Sequence, residues 1–241
     1  MELFFEGKIS AKAILENDKR KVYEVIMEQG KRNKDFGYIY HLATQKNIPV
    51  IYKTREEIEQ LAHSHTHGGI LVKADGLRQE SIINKKLSGF VCFIDGVEDP
   101  YNLGSVCRTL YAAGCSALVL PQRNWAQSEN TILKASAGAF EHMHIFWIHS
   151  EMELLEAIDQ NKIPLILAHR KEARSLFDYT FPSSFCLVVG GALRGISSQI
   201  VKRSSQNVFV EYARDCRYAL DTASAVSAFS FEILRQRRKT V

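Results

Sequence analysis

The chain has few of the residues that staple small folds. Its five cysteines (Cys92, Cys107, Cys115, Cys186 and Cys216) are an odd number in 241 residues and include no CxxC pair. This excludes a complete disulfide framework and the usual thiolate spacings of a metal site. Four of them sit in or beside apolar segments, where small buried hydrophobes of a reducing compartment are expected. No run of about 18 apolar residues occurs, which argues against a membrane-spanning helix. The start, MELFFEGKIS, lacks a basic region followed by an apolar stretch, so no secretory leader is read there. A soluble, cytoplasmic protein is expected, with no metal and no membrane partner. Internal repeats, low-complexity tracts, a G-x-G-x-x-G turn and a phosphate loop are all missing, which disfavours a generic nucleotide-binding enzyme.

What is present supports a full core. Hydrophobic residues make up 46% of the chain, and its length fits one large domain or two ordinary ones. The net charge of +4 is mild. Its distribution says more: basic clusters lie at Lys19-Arg20-Lys21, at Lys31-Arg32 with Lys34, and at Arg235, Arg237, Arg238 and Lys239. Solvated faces are the plain reading of each cluster; together, unbalanced by acidic runs, they favour a polyanionic partner.

Residues 1–75 read as a small α/β unit. Ile9, Ala13, Ile14, Val22, Val25 and Ile26 mark two amphipathic helices around a turn at Asn17-Asp18. A helix near 38–42, a strand at 50–52, a helix at 55–61 and a strand at 69–72 follow. The polar stretch 76–88 reads as a linker. From residue 89 to 241, apolar strands alternate with helices. The strands are read at 90–94, 117–120, 144–148, 164–168, 185–189 and 208–211. That pattern implies a parallel sheet covered on both faces, with ligands at the carboxyl ends of its strands. The final helix, 219–235, mixes small residues with bulky ones, suiting either core packing or a subunit interface.

The segment FVCFIDGVEDPYNLGSVCRTLYAAGC, residues 90–115, carries the strongest functional signal. An apolar run enters turn residues, then a short helix expected at 105–113 with Ser105 as N-cap and Gly114 as terminator. Arg108 would then oppose the helix dipole in the first turn, at a cost that suggests a function.

DGVEDPYNLGSVCRTLYAAG resembles the first motif of the SpoU/TrmH branch of the SPOUT RNA methyltransferases. LVVGGALRGIS, residues 187–197, resembles the second motif, and VFVEYARDCRYALDTASAVSAFSFEILRQR, residues 208–237, the third. KASAGAFEH is similar to a secondary block. GKISAKAILEN and HTHGGILV resemble the ribosomal-protein-like RNA-binding domain that several members carry. The resemblance implies a C-terminal SPOUT domain with a deep trefoil knot, an obligate homodimer through that domain, and S-adenosylmethionine as cofactor. It implies methylation of a ribose 2′-hydroxyl in structured RNA, tRNA or rRNA. Asn102 and Arg108 match the polar catalytic pair. Gly190, Ile196, Val210 and Leu220 match cofactor-binding positions. The family's motif-two glutamate falls at Ala192, and its Ser-Leu-Asn reads Ala219-Leu220-Asp221. These departures leave open an alternative, an RNA-binding relative with weakened catalysis.

Methyl transfer to a hydroxyl needs alignment and an acceptor for the hydroxyl proton. Arginine stays charged, so Arg108 suits phosphate binding and alkoxide stabilisation. Asp221 is the candidate third catalytic group, replacing the missing glutamate as proton acceptor or by fixing Arg108. Plainer roles stand beside these. Asn102 could serve a turn, Arg108 could pair with Glu98 or Asp99, Gly190 could permit tight packing, and Asp221 could cap the last helix. His65 and His67 suit a structural or RNA-facing role better than a metal. Trp125 is expected as a surface aromatic, with base stacking the sharper option.

Overall fold

The computed structural model describes residues 2–191 and 194–238. They form two compact units, Met1–Arg78 with Asn124–His142, and Gln79–Arg123 with Met143–Val241. The first unit opens with β1 (Glu2–Glu6), α1 (Gly7–Leu15), β2 (Val22–Glu28), α2 (Lys34–Gln45), β3 (Val50–Lys53), α3 (Arg55–Leu61) and β4 (Ile70–Asp75). The chain then runs through β5 (Glu80–Ser81), β6 (Phe90–Asp95), α4 (Pro100–Ala112) and β7 (Ala117–Pro121) of the second unit. It returns to the first unit as α5 (Glu129–Ala135) and α6 (Ala139–His142). The second unit is completed by β8 (Ile145–Ile148), α7 (Glu151–Asn161), β9 (Leu165–Ala168), β10 (Ala173–Ser175), β11 (Phe185–Gly190), α8 (Ser198–Val201), β12 (Gln206–Phe209) and α9 (Thr222–Arg238).

The first unit holds a four-stranded sheet of order β1-β4-β2-β3, in which only β2 and β3 run parallel. The second helix expected around Val22, Val25 and Ile26 is instead the inner strand β2. Val25, Ile26 and Met27 are all buried, so both faces of that strand are covered. A continuous apolar run of this kind imitates helical spacing. Gly7, at φ +85°, turns the end of β1 directly into α1, a conformation that few L-residues adopt.

Arg20 is the charged residue at the centre of this unit. Its side chain is fully buried, with Nη1 2.5 Å from Glu129 Oε2 and Nε 2.8 Å from Glu141 Oε2. The guanidinium also lies 4.6 Å from the centroid of the Phe5 ring. The Lys19-Arg20-Lys21 cluster is therefore not a uniform solvated face, because its middle member is spent inside the protein. Trp125 is likewise buried, at 6% exposure, and is not the surface aromatic expected.

The second unit is built on an all-parallel sheet of order β10-β12-β9-β11-β6-β7-β8-β5. All six strands read from the apolar runs are present, and the segment read as a linker adds the short edge strand β5. β6 is buried from Phe90 to Ile94, as is β11 from Phe185 to Val189, so helices cover both faces. Cys92, Cys107 and Cys186 fill this core, and burial pushes their thiols up. Among the described residues no helix is long and apolar enough to cross a membrane. None of their His, Cys, Asp or Glu side chains form a group of three or more suited to a metal ion.

Candidate functional site

The helix that carries the first motif starts earlier than its sequence suggests. Asp99, not Ser105, is the N-cap of α4, accepting from the Asn102 N–H at 2.7 Å, and Pro100 occupies the first turn. Asp-Pro is a strong start signal, since proline needs no hydrogen bond there. Arg108 consequently lies in the third turn, where the expected dipole penalty does not act. Gly114, at φ +76°, ends the helix as expected. Leu103, Gly104, Val106, Cys107 and Leu110 form the buried face. Asn102 and Arg108 are both exposed. The surface pairings open to Arg108 are taken otherwise: Asp99 caps α4, and Glu98 lies 3.7 Å from Arg123.

A cleft of about 870 Å³ opens where the chain leaves β9, β11 and β12. Its wall includes Gly190, Ile196, Val210, Leu220 and Asp221, which brings together five of the seven expected site residues. Asn102 and Arg108 are not part of that wall. Val189, Val208, Ala225 and Phe229 add apolar surface, while His169, Arg170 and Lys171 add polar and cationic groups. The cleft stands at the carboxyl edge of the parallel strands, where such sheets bind ligands.

The glycines beside the cleft are needed by the protein's own backbone. A Cβ on Gly190 would lie 2.6 Å from the carbonyl carbon of Gly195, and one on Gly191 would lie 2.5 Å from the carbonyl oxygen of Gly96. The loop after β11 is thus folded tightly onto itself and onto the end of β6. Asp95 fastens it: its carbonyl accepts from Gly191 N–H at 2.5 Å and its Oδ2 from Ser197 N–H at 2.9 Å. Burial, with Glu151 nearby, raises the Asp95 carboxyl. Ala192, where the family glutamate is replaced, lies outside the described residues. Gly190→Ala is expected to destabilise the chain by about 1–3 kcal/mol through overpacking, read as a lower denaturant midpoint.

The third motif supplies the opposite wall. Thr222, at the start of α9, donates from Oγ1 to the carbonyl of Gly190 at 3.1 Å, joining the two motifs. Asp221 caps α9: Oδ1 accepts from Ser224 N–H at 2.9 Å and Oδ2 from Ser224 Oγ at 2.6 Å. The Ser224 hydroxyl and backbone hold its carboxyl below the usual range. Tyr212 was not anticipated. Its hydroxyl accepts from the Leu220 N–H at 3.0 Å, while Arg170 lies 4.3 Å from its ring centroid. Both Tyr212 and Thr222 lie within the third motif, so position there was the available signal.

Comparison with known proteins covers both units. Residues 89–228 match the SpoU rRNA Methylase family, and residues 6–80 match the RNA 2′-O ribose methyltransferase substrate-binding domain. The 23S rRNA (guanosine-2′-O-)-methyltransferase RlmB of Haemophilus influenzae is 23% identical over 238 residues, spanning 96% of each chain. Its namesake in Xanthomonas campestris is 27% identical over 231 residues, 92% of each. Among solved structures, the SpoU methyltransferase AviRb from Streptomyces viridochromogenes superposes with a TM-score of 0.83 at 16% identity, covering 99% of this chain and 91% of that one. An AdoMet-bound rRNA methyltransferase from Sinorhizobium meliloti gives 0.80 at 17%, covering 100% and 88%. With residues 89–228, more than half of the chain, matched and the cleft built from motifs within that match, this chain belongs to the SpoU rRNA methylase family.

Proposed function

We infer that the chain transfers a methyl group from S-adenosylmethionine to a ribose 2′-hydroxyl of RNA, with rRNA the favoured substrate and tRNA the other. The observation that carries this reading is the convergence of the second and third motifs on one cleft. That cleft suits the cofactor in chemistry as well as size. Backbone at 190–191 and 219–222 lines the cleft, while Ile196, Val210 and Leu220 offer apolar surface for a flat heterocycle. When bound, the cofactor supplies an electrophilic methyl group. Thr222 ties the third-motif wall to Gly190, and Tyr212 fixes Leu220 within its own wall.

Asn102 and Arg108 are the polar groups assigned to the RNA. Arg108 would fork onto a phosphate and stabilise charge developing on the ribose oxygen. A homodimer through the second unit fits the exposed faces of α4 and α9. Tyr101 and Tyr111 flank Arg108 at 66% and 50% exposure, and Phe231 of α9 is also 50% exposed. These side chains would supply apolar surface to such an interface. A cytoplasmic site of action follows from the substrate.

The geometry gives Asp221 an anchoring role, because a carboxylate with a lowered pKa and both oxygens held is a weak base. Its stabilising contribution is present above the unfolded carboxylate value of about 3.9 and is lost as pH falls through the lower folded value. Asp221→Asn keeps a capping acceptor. It should leave neutral-pH stability and methyl transfer nearly unchanged while removing that acid-side loss. A fall in rate of about 100-fold or more would return the proton-acceptor role to Asp221.

The decisive experiment maps ribose methylation across rRNA and tRNA with and without the protein, alongside calorimetry with S-adenosylhomocysteine. One or more sites should lose methylation without it, and the cofactor product should bind. Binding without any lost methylation would favour an RNA-binding relative instead.

A further inference from the structure

A smaller cavity, of about 220 Å³, adjoins the cleft and shares Arg170, Phe209, Val210 and Tyr212 with it. Arg214, Asp215 and Cys216 complete its wall. Arg170 stands where the two spaces meet. Its guanidinium lies 4.3 Å from the centroid of the Tyr212 ring, and the Tyr212 hydroxyl accepts from the Leu220 N–H at 3.0 Å. The ring thus holds the cation by one face and uses none of the N–H donors at its edge.

Those donors are unspent. Among the described residues, the side chains of Arg170, Arg214 and Asp215 make no hydrogen bond or ion pair. Asp221, the acid of the larger cleft, is taken by the Ser224 backbone and hydroxyl. The smaller cavity therefore offers two unpaired guanidinium groups and one unpaired carboxylate. Such a wall complements a ligand that carries one carboxylate and one ammonium, and a guanidinium edge matches a carboxylate with two parallel bonds. S-adenosylmethionine ends in that pair of charges. Val210 lines both spaces, so a heterocycle lying on the apolar surface of the cleft has the charged cavity beside it.

We propose that the smaller cavity takes the amino-acid tail of the methyl donor, with Arg170 forking onto its carboxylate and Asp215 accepting from its ammonium. The inference deepens the reading of the cleft as a methyl-donor site and rests on it. Gripped at the heterocycle and again at the tail, the donor has its sulfonium fixed between two anchors, which serves the alignment that methyl transfer needs. Arg170 is in this sense a positioning residue.

Calorimetry on the full chain tests this with three ligands: S-adenosylhomocysteine, its decarboxylated analogue, which keeps the ammonium, and 5′-methylthioadenosine, which has neither charge. Arg170→Ala should weaken S-adenosylhomocysteine by about tenfold, the scale of one hydrogen-bonded charge, and leave the other two unchanged. Arg170→Lys should recover only part of that loss, because the fork is gone. Asp215→Asn should weaken the first two ligands and spare the third. An alanine variant that weakens all three alike overturns the proposal, since Arg170 then acts only by propping Tyr212. Unchanged affinity for all three overturns it as well, and a shallower salt dependence of RNA binding in that variant assigns the guanidinium to a phosphate instead. If the wild-type chain binds none of the three, the methyl-donor reading falls and takes the proposal with it. If it binds all three and Arg170→Ala does not single out S-adenosylhomocysteine, only the tail assignment falls.

Discussion

Arg20→Met should lower the stability of the first unit by about 3–5 kcal/mol, the range for stripping one partner from a buried ion pair. A typical domain has a total margin of only about 5–15 kcal/mol, so much of it would be lost. The size follows from what stays behind. Glu129 and Glu141 would remain buried at 6% and 0% exposure, facing a methionine instead of a cation. The carbonyl of Asp75, which accepts from Arg20 at 3.1 Å, would lose that donor too. Packing against Phe5 would persist, since methionine keeps an apolar stem. A triple variant that also carries Glu129→Gln and Glu141→Gln should recover a large part of the loss, because the uncompensated charge is then gone. Equilibrium denaturation reads both effects, and a single variant within about 1 kcal/mol of wild type would contradict the argument.

Arg108→Ala should act on rate and leave the fold intact. The side chain is exposed on α4, and surface changes of this kind usually shift stability by no more than about 0.5 kcal/mol. Loss of one donor to charge developing in the transition state typically lowers the rate by about 10²–10³-fold. Single-turnover methyl transfer should fall by that factor, while S-adenosylhomocysteine binds with unchanged affinity. Arg108→Lys should recover only part of the rate, because an ammonium keeps the charge and loses the planar fork. If the alanine variant transfers methyl groups at the wild-type rate, Arg108 has no part in the chemistry.

The parallel sheet was legible because each of its long strands is a nearly unbroken apolar run between turn residues. β5 and β10 escaped because two and three residues carry no periodicity. In the first unit, β2 was read as helix because Val22, Val25 and Ile26 satisfy a period of 3.6 by coincidence, while full burial of an inner strand erases alternation. The helix expected from Ser105 starts six residues earlier, because Asp99-Pro100 supplies both a capping carboxylate and a first-turn proline. At the candidate site, Gly190, Ile196, Val210, Leu220 and Asp221 line one cleft, and only the motif resemblance joined these positions in the sequence. Tyr212 and Thr222 were marked only by lying within the third motif, because a hydroxyl that meets a main-chain group 8 or 32 positions away leaves no pattern of its own. Nor could charge clustering reveal that Arg20 points inward, since its partners stand 109 and 121 positions away.

Those long spans bear on how the protein is made. A ribosome exposes Arg20 long before it has added Glu141, so the nascent amino-terminal segment must wait with an unmatched cation. Every strand of its sheet is already out, and so are β6 and β7 of the other unit. The two halves of this molecule therefore cannot mature strictly one after the other. Stalling synthesis shortly after residue 78 should yield a protease-sensitive chain, and protection should arrive only once the segment ending at His142 has cleared the exit tunnel.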